Sequence, residues 1–389
     1  MIPRTLATEI DELLAGFPVV SITGPRQSGK TTLARELHPE FRYVSLEDTD
    51  TRHLAEDDPR LFFTMYPKHT IIDEAQRVPE LFSYLQGIVD ATNEPGQFIL
   101  TGSQNFLLLK SISQSLAGRV GLTYLLPLTY SEIVKAGLQP GNLDEWLLRG
   151  GYPRLYSSRL SPNRFFDTYV STYVERDVRG ELGVRKLADF RRFLGLCAYR
   201  IGELTSDSSL ATDARISTNT SSDWMSILEA SFVTFRLQPY YRNFGKRLTK
   251  TPKLYFYDSG LAAHLLGLES VDDLRSNNAF RGHLFENMVV SEIVKEYYSR
   301  GKTPHVYYWR DSNQKEADLI VEKAGRIRYL VEIKASSTYD PHAFATLDSL
   351  GELMGCDANQ KVLVYGGDDS FMTRHGRVIS VRQLHELVE

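Results

Sequence analysis

The stretch Gly24-Pro-Arg-Gln-Ser-Gly29-Lys30-Thr31 constrains this chain more than any other. It fits the spacing G-x-x-x-x-G-K-[ST], follows the β-branched run FPVVSITG and opens the helical pattern KTTLARELH. A strand that ends in such a loop and turns into a helix aims backbone N–H groups at one point. The positive end of the helix dipole lies there too, and together they make a seat for phosphate. Glycines let the backbone approach, Lys30 would neutralise the outer phosphates, and the Thr31 hydroxyl would complete a Mg²⁺ shell. Gly24, Pro25, Arg26, Gln27, Ser28, Gly29, Lys30, Thr31 and Thr32 are therefore the expected contacts to ATP.

The alternation continues through YVSLED, HTIIDEAQ and GQFILTGS, with the helix-like ELFSYLQGIVDA between the last two. Apolar strand, polar tip, then helix predicts an α/β unit with a parallel sheet and crossover helices. In TIIDEAQ, Asp73 and Glu74 stand just beyond an apolar strand. Asp73 is expected beside Mg²⁺, and Glu74 is expected to orient or deprotonate the attacking water. FILTGS ends a further strand with Thr101 and Ser103, polar groups able to sense the γ-phosphate.

At 389 residues the chain suggests about two or three domains. We place them at 1–150, 151–254 and 255–389. No window approaches the ~18 apolar residues of a membrane span, and MIPRTLATEIDELL lacks the core of a signal peptide. Two distant cysteines, Cys197 and Cys356, fit a reducing cytoplasm better than a disulfide framework or zinc site. The net charge of −4 excludes a generally basic protein, so contact with nucleic acid would need a local patch.

One such patch exists. SSLATDARISTNTSSDWMSILEASF (208–232) has the shape of a helix-turn-helix, with Leu210, Ala211, Ile216, Trp224, Ile227 and Leu228 as its apolar side. The segment after it carries Arg236, Arg242, Lys246, Arg247, Lys250 and Lys253, no acidic residue, and Tyr240, Tyr241 and Phe244 interleaved. A basic hairpin behind such a helix is what a winged helix offers to DNA phosphates, here through 236–253. The other reading is a small packing domain with a solvated charged face.

GPRQSGKTTL, IIDEAQRVPELF, FILTGSQNF, SLAGRV and GGYPRL, in this order and after Ile2-Pro-Arg4, resemble a prokaryotic family of AAA+-like P-loop ATPases. The resemblance implies that Arg119 of SLAGRV is an arginine finger acting on a neighbouring subunit's ATP, and hence a homo-oligomer, of ring type in this setting. A plain surface arginine is the alternative. GGYP resembles the turn by which related, STAND-like signalling ATPases close a helical lid over the base. Gly151 and Pro153 are then nucleotide contacts, or else only a domain-boundary turn.

From Leu254 onward, KLYFYDSGLAAHLLG, GHLFENMVVSEIVKEYY, VYYWRD, EADLIVEK and RYLVEIKAS resemble the PD-(D/E)xK, restriction-endonuclease-like fold. The matching residues are Glu286 on an amphipathic helix, Asp318 on one strand, and Glu332 and Lys334 on the next. The spacing of Glu332-x-Lys334 puts carboxylate and ammonium on one strand face, and Asp318, 14 positions earlier, suits an adjacent hairpin strand. Glu286, Asp318 and Glu332 would hold Mg²⁺, with Lys334 orienting a water or stabilising the developing charge. Whether such a site cuts or only binds stays open at this level. Three readings follow: an ATPase acting on DNA, including branched DNA; a STAND-like switch that binds a protein partner; and an ATP-fuelled junction motor whose nuclease-like fold only grips.

Overall fold

The computed structural model describes residues 2–92, 94–103, 112, 115–174, 187–241 and 249–389. They form two compact units. The first is Met1–Leu128 with Ala230–Phe232 and Tyr298–Lys302, and the second is Thr129–Glu229 with Val233–Tyr297 and Thr303–Glu389.

In the first unit, β1 (Val19–Thr23), β2 (Arg42–Ser45), β3 (Thr70–Asp73), β4 (Phe98–Gly102) and β5 (Val120–Tyr124) form one sheet in the order β2-β3-β4-β1-β5. Every pairing is parallel, with Val20 beside both Ile99 and Gly121. The pleat sends alternate residues to opposite faces, so neighbouring apolar residues feed two cores. Val19, Ile72 and Leu100 pack on one side with Phe82, Leu85 and Val89 of the helix Leu81–Thr92. Val20, Ile22, Ile71 and Ile99 pack on the other with Leu33 and Ala34 of the helix Lys30–Leu37. A sheet covered on both faces needs near-continuous apolar strands, and β1, β3 and β4 are buried throughout.

The second unit begins with helices. Leu187–Tyr199, Asp207–Ala214 and Thr218–Ala230 precede a two-stranded antiparallel sheet of β6 (Thr234–Leu237) and β7 (Lys253–Phe256). Trp224 meets the edges of Phe190 and Phe193, which fixes the third helix against the first. A six-stranded sheet follows: β8 (Val306–Arg310), β9 (Glu316–Lys323), β10 (Arg326–Lys334), β11 (Lys361–Tyr365), β12 (Phe371–Met372) and β13 (Arg377–Ser380), ordered β12-β13-β11-β10-β9-β8. β8, β9 and β10 form an antiparallel meander, while β10, β11 and β13 run parallel. The helix Ala345–Met354 makes the crossover from β10 to β11, seating Leu347 and Leu350 on Leu330 and Leu363. The helix Asn278–Ser299 precedes the meander.

The expected boundary near residue 150 lies inside this second unit, at a turn bound to a buried carboxylate. Asp258, 2% exposed, caps the helix Ser259–Leu265 by accepting from Leu261 N–H at 2.9 Å. It also accepts from Gly151 N–H at 2.7 Å. Only glycine fits at 150: its φ is +68°, and a Cβ would lie 2.2 Å from Asp258 Oδ1. Burial pushes the Asp258 carboxyl up, and the amide donors of Gly151, Leu261 and Gly260 oppose that. Cys197 and Cys356 are free thiols, and no helix among the described residues is long and apolar enough to cross a membrane. Asp258→Ala removes a cap and a charge-assisted bond to Gly151. We expect a loss of about 3 kcal/mol, read as a lower denaturant midpoint; an unchanged midpoint would show that the turn closes without it.

Candidate functional site

Gly24 leaves β1 at φ +153°, and a Cβ there would stand 2.2 Å from Leu125 O, so the chain can enter the loop only as glycine. Pro25, Arg26, Gln27 and Ser28 carry it round to Gly29, the N-cap of the helix Lys30–Leu37. Lys30 is buried at the mouth of that helix, its Nζ donating to Gly24 O at 3.0 Å and Pro25 O at 2.8 Å. The Ser28 hydroxyl is buried and finds no partner among the described residues. Such an orphaned donor inside a glycine-bounded cradle suits phosphate oxygens.

Asp73 is the convergence point. Thr31 Oγ1 donates to its Oδ1 at 3.0 Å, Tyr43 Oη to its Oδ2 at 2.9 Å, and the Thr101 hydroxyl also donates to Oδ1. Parallel pairing of β2, β3 and β4 brings the donors there, since side chains at the ends of adjacent strands point into one region. A hydroxyl and a carboxylate this close are the oxygen ligands that Mg²⁺ takes, so Thr31 and Asp73 fit that ion. Burial first, then the Asp73 charge, pushes the Tyr43 phenol up to about 12.

Glu74 sits next along the chain in left-handed backbone, φ 54° and ψ 43°. Its Oε2 accepts from Gln76 Nε2 at 2.5 Å and from Ser103 Oγ at 3.1 Å, which aims the carboxylate. Thr101 and Ser103 thus hold Asp73 and Glu74 respectively. Thr32 follows Thr31 on the same helix. Sequence reasoning missed Tyr43, Gln76 and the role of Arg4, whose guanidinium donates to Ser28 O at 2.8 Å and Leu126 O at 2.6 Å. The Ile2-Pro-Arg4 stretch was a usable signal for the last; Tyr43 carried none.

Arg119 closes its guanidinium on Asp90 of the helix Leu81–Thr92, with Nη2 at 3.0 Å from Oδ2 and a second bond from Nε. Gly151 and Pro153 belong to the second unit, where the Gly151 N–H is bound to Asp258 and Pro153 precedes the short helix Arg154–Ser157.

Two cations of the basic segment, Arg236 and Lys253, differ from their sequence expectation. The segment holds no acid of its own, yet acids reach it from elsewhere. Arg236 bonds Glu229 at 2.7 and 3.0 Å and Asp207 at 3.1 Å, fastening β6 to the two preceding helices. Lys253 is 4% exposed and donates to Glu286 at 3.0 Å, with a further ion pair to Glu316. Tyr240 is buried, while Tyr241 and Lys250 are exposed. Arg242, Phe244, Lys246 and Arg247 lie outside the described residues.

The four nuclease-like residues share one region of the second unit. Asp318 and Glu332 stand on the antiparallel strands β9 and β10, and the Asp318 carboxylate accepts from Ile333 N–H at 2.8 Å. Lys334 Nζ is 2.6 Å from Glu332 Oε1, and Tyr255 Oη donates to Glu286 at 2.7 Å. Burial works against the Lys253 and Lys334 charges, but the surrounding acids hold both ammonium groups above the usual range. Every carboxylate is thus engaged by a protein donor. Among the described residues, no group of three His, Cys, Asp or Glu is arranged to hold a metal ion, so the expected Mg²⁺ set of Glu286, Asp318 and Glu332 does not fit one.

Residues 16–134 match the AAA domain family. Residues 141–272 and 281–384 match two domains of unknown function, DUF8612 and DUF4143. Over 374 residues the chain is 34% identical to the uncharacterized protein Rv2008c of Mycobacterium tuberculosis, spanning 95% of this chain and 81% of that one. The chain belongs to the Rv2008c family. An uncharacterized protein of Haemophilus influenzae is 25% identical over 345 residues, 79% of this chain and 80% of its own. Among solved structures, the Walker-type ATPase paby2304 of Pyrococcus abyssi is similar at 15% identity and a TM-score of 0.44, covering 68% of this chain and 96% of its own. The first unit is an AAA-type P-loop ATPase domain, and the loop, Asp73 and Glu74 all fall within the matched residues.

Burial, and then the Glu286 and Glu332 charges, push the Asp318 carboxyl well above the usual carboxylate range. A folded-state pKa above the unfolded one gives stability at low pH that is lost as pH climbs through the folded value. Asp318→Asn removes that loss. We expect it to raise the melting temperature by a few degrees near about pH 8, a gain that fades toward about pH 4, where the unfolded carboxyl also takes its proton. Calorimetry of both proteins across this range checks it, and an equal or lower midpoint at the higher pH would contradict it.

Proposed function

We propose that this chain is a Mg²⁺-dependent ATP hydrolase whose nucleotide cycle acts on DNA through the second unit. The observation that carries the hydrolase is the meeting of Thr31, Tyr43 and Thr101 on Asp73, with Glu74 aimed beside it by Ser103 and Gln76. Lys30 and the loop amides bind the phosphates, and Thr31 and Asp73 hold the ion. Glu74 orients the attacking water and takes its proton. The ion, when bound, offsets charge on the transferring phosphoryl group. Arg119, an exposed and therefore weakly held ion-pair partner of Asp90, is free to trade that carboxylate for a neighbour's nucleotide in a homo-oligomer, in keeping with a ring-type assembly.

The DNA reading rests on shape. A capped helix, a short turn and a second helix, followed by a two-stranded antiparallel sheet, is the order of a winged helix. Ser217, Thr218 and Asn219 are exposed where the second helix starts, as a recognition helix would present them. The pairing of Arg236 and Lys253 with acids favours a second reading, a STAND-like switch binding a protein partner, because it removes two cations from any phosphate contact.

Lys30→Ala is expected to lower ATP turnover by at least about 100-fold, and turnover at the wild-type rate would refute the assignment of the loop. DNA binding, measured by gel shift and by stimulation of hydrolysis on linear, forked and four-way substrates, is expected to weaken steeply as salt rises. No shift and no stimulation with any of them would leave the protein-partner switch standing.

A further inference from the structure

We propose that the Lys253 ammonium is the resident cation of the Glu286–Asp318–Glu332 pocket, occupying the role a divalent metal would fill, so that the second unit carries a nuclease-like constellation closed to metal-dependent cleavage. The inference concerns this pocket alone and holds whichever partner the second unit binds.

Three observations support it. The first is reach. Lys253 Nζ lies 3.0 Å from Glu286 Oε1 and pairs with Glu316, hydrogen-bond separations for an ammonium. Magnesium needs near-octahedral oxygens at roughly 2.1 Å, which Glu286 cannot offer while its Oε1 holds the lysine ammonium. The second is confinement. The Lys253 side chain is 5% exposed, its backbone pairs with Leu237 across the two-stranded sheet and bridges to Leu204, and the Tyr308 ring centroid stands 5.9 Å from its ammonium. The cation is delivered by a strand, so it cannot drift aside as a surface lysine would. Moving it out would take the ammonium partner from the half-buried Glu286 and leave Glu316 to Arg310 alone.

The third is saturation. Tyr255 Oη also donates to Glu286 at 2.7 Å, Arg310 lies 3.1 Å from Glu316, Lys334 lies 2.6 Å from Glu332, and Ile333 N–H donates to Asp318 at 2.8 Å. Each acid already has a donor from the protein. An incoming divalent ion would have to displace several of these bonds and enter against a fixed positive charge only hydrogen-bond distance away.

The test counts Mn²⁺ bound by the full chain without nucleotide, from the loss of the free-ion signal in electron paramagnetic resonance. Wild type is compared with Glu286→Gln, Lys253→Met and the double variant. Wild type and Glu286→Gln should bind equally at about 1 mM Mn²⁺, a typical range for weak carboxylate sites. Lys253→Met should gain one ion per chain, and the added Glu286→Gln should abolish that gain. Wild-type binding that depends on Glu286 overturns the proposal, as does a folded Lys253→Met chain that gains no ion. Circular dichroism establishes folding. If Lys253→Met does not fold, the wild-type and Glu286→Gln comparison decides alone.

Discussion

The first unit depends on a single carboxylate. Asp73 ends a strand buried along its whole length, and hydroxyls from the P-loop helix, from β2 and from β4 all turn to it. A buried anion without donors would be expelled or neutralised; three hydroxyls make it tolerable in place. The order β2-β3-β4-β1-β5 is what allows this. β3 lies between β2 and β4, so Tyr43 and Thr101 arrive from either side, and the loop after β1 brings Thr31 from one strand further. Topology, more than any local propensity, gathers three hydroxyls and a carboxylate out of four separate segments.

The second unit is governed by the same rule with opposite results. Its buried ions also find partners, but there several of the partners are other ions. Asp144 takes Arg275 and Arg281, each at 2.8 Å, and Asp258 takes backbone amides. Lys253 takes Glu286 and Glu316. A buried pair adds little net stability over an apolar core, because desolvation offsets the attraction, yet breaking one leaves a stranded charge. Such pairs specify how segments far apart in sequence must meet, and they hold the meander and the two-stranded sheet in fixed registers.

Much of this was legible in the sequence where chemistry is contiguous. The phosphate loop, Asp73 with Glu74, and Thr101 with Ser103 lie at strand ends whose apolar runs are short and bounded, so their order on a parallel sheet could be read directly. The hairpin that sets Asp318 beside Glu332 was legible for a similar reason, since the spacing suits two strands joined by a tight turn at Ala324 and Gly325, both at positive φ. What could not be read is pairing across distance. Tyr43 meets Asp73 from 30 positions away, and Gly151 meets Asp258 from 107. Arg236 and Lys253 escaped the sequence reading on the same ground. A run of cations with no local acid reads as solvated, but Lys253 finds its acid 33 positions on and Arg236 finds one 29 positions back.

The left-handed backbone at Glu74 has a consequence for how such a domain ages under mutation. A non-glycine residue held there costs on the order of 1–3 kcal/mol, and asparagine tolerates that conformation better. Replacing Glu74 with asparagine would therefore ease the backbone, at the cost of the bonds from Gln76 and Ser103. The two effects on folding free energy oppose each other, so the stability of the fold guards this carboxylate only weakly. A glutamate at such a position is explained by its carboxylate and not by the backbone it strains.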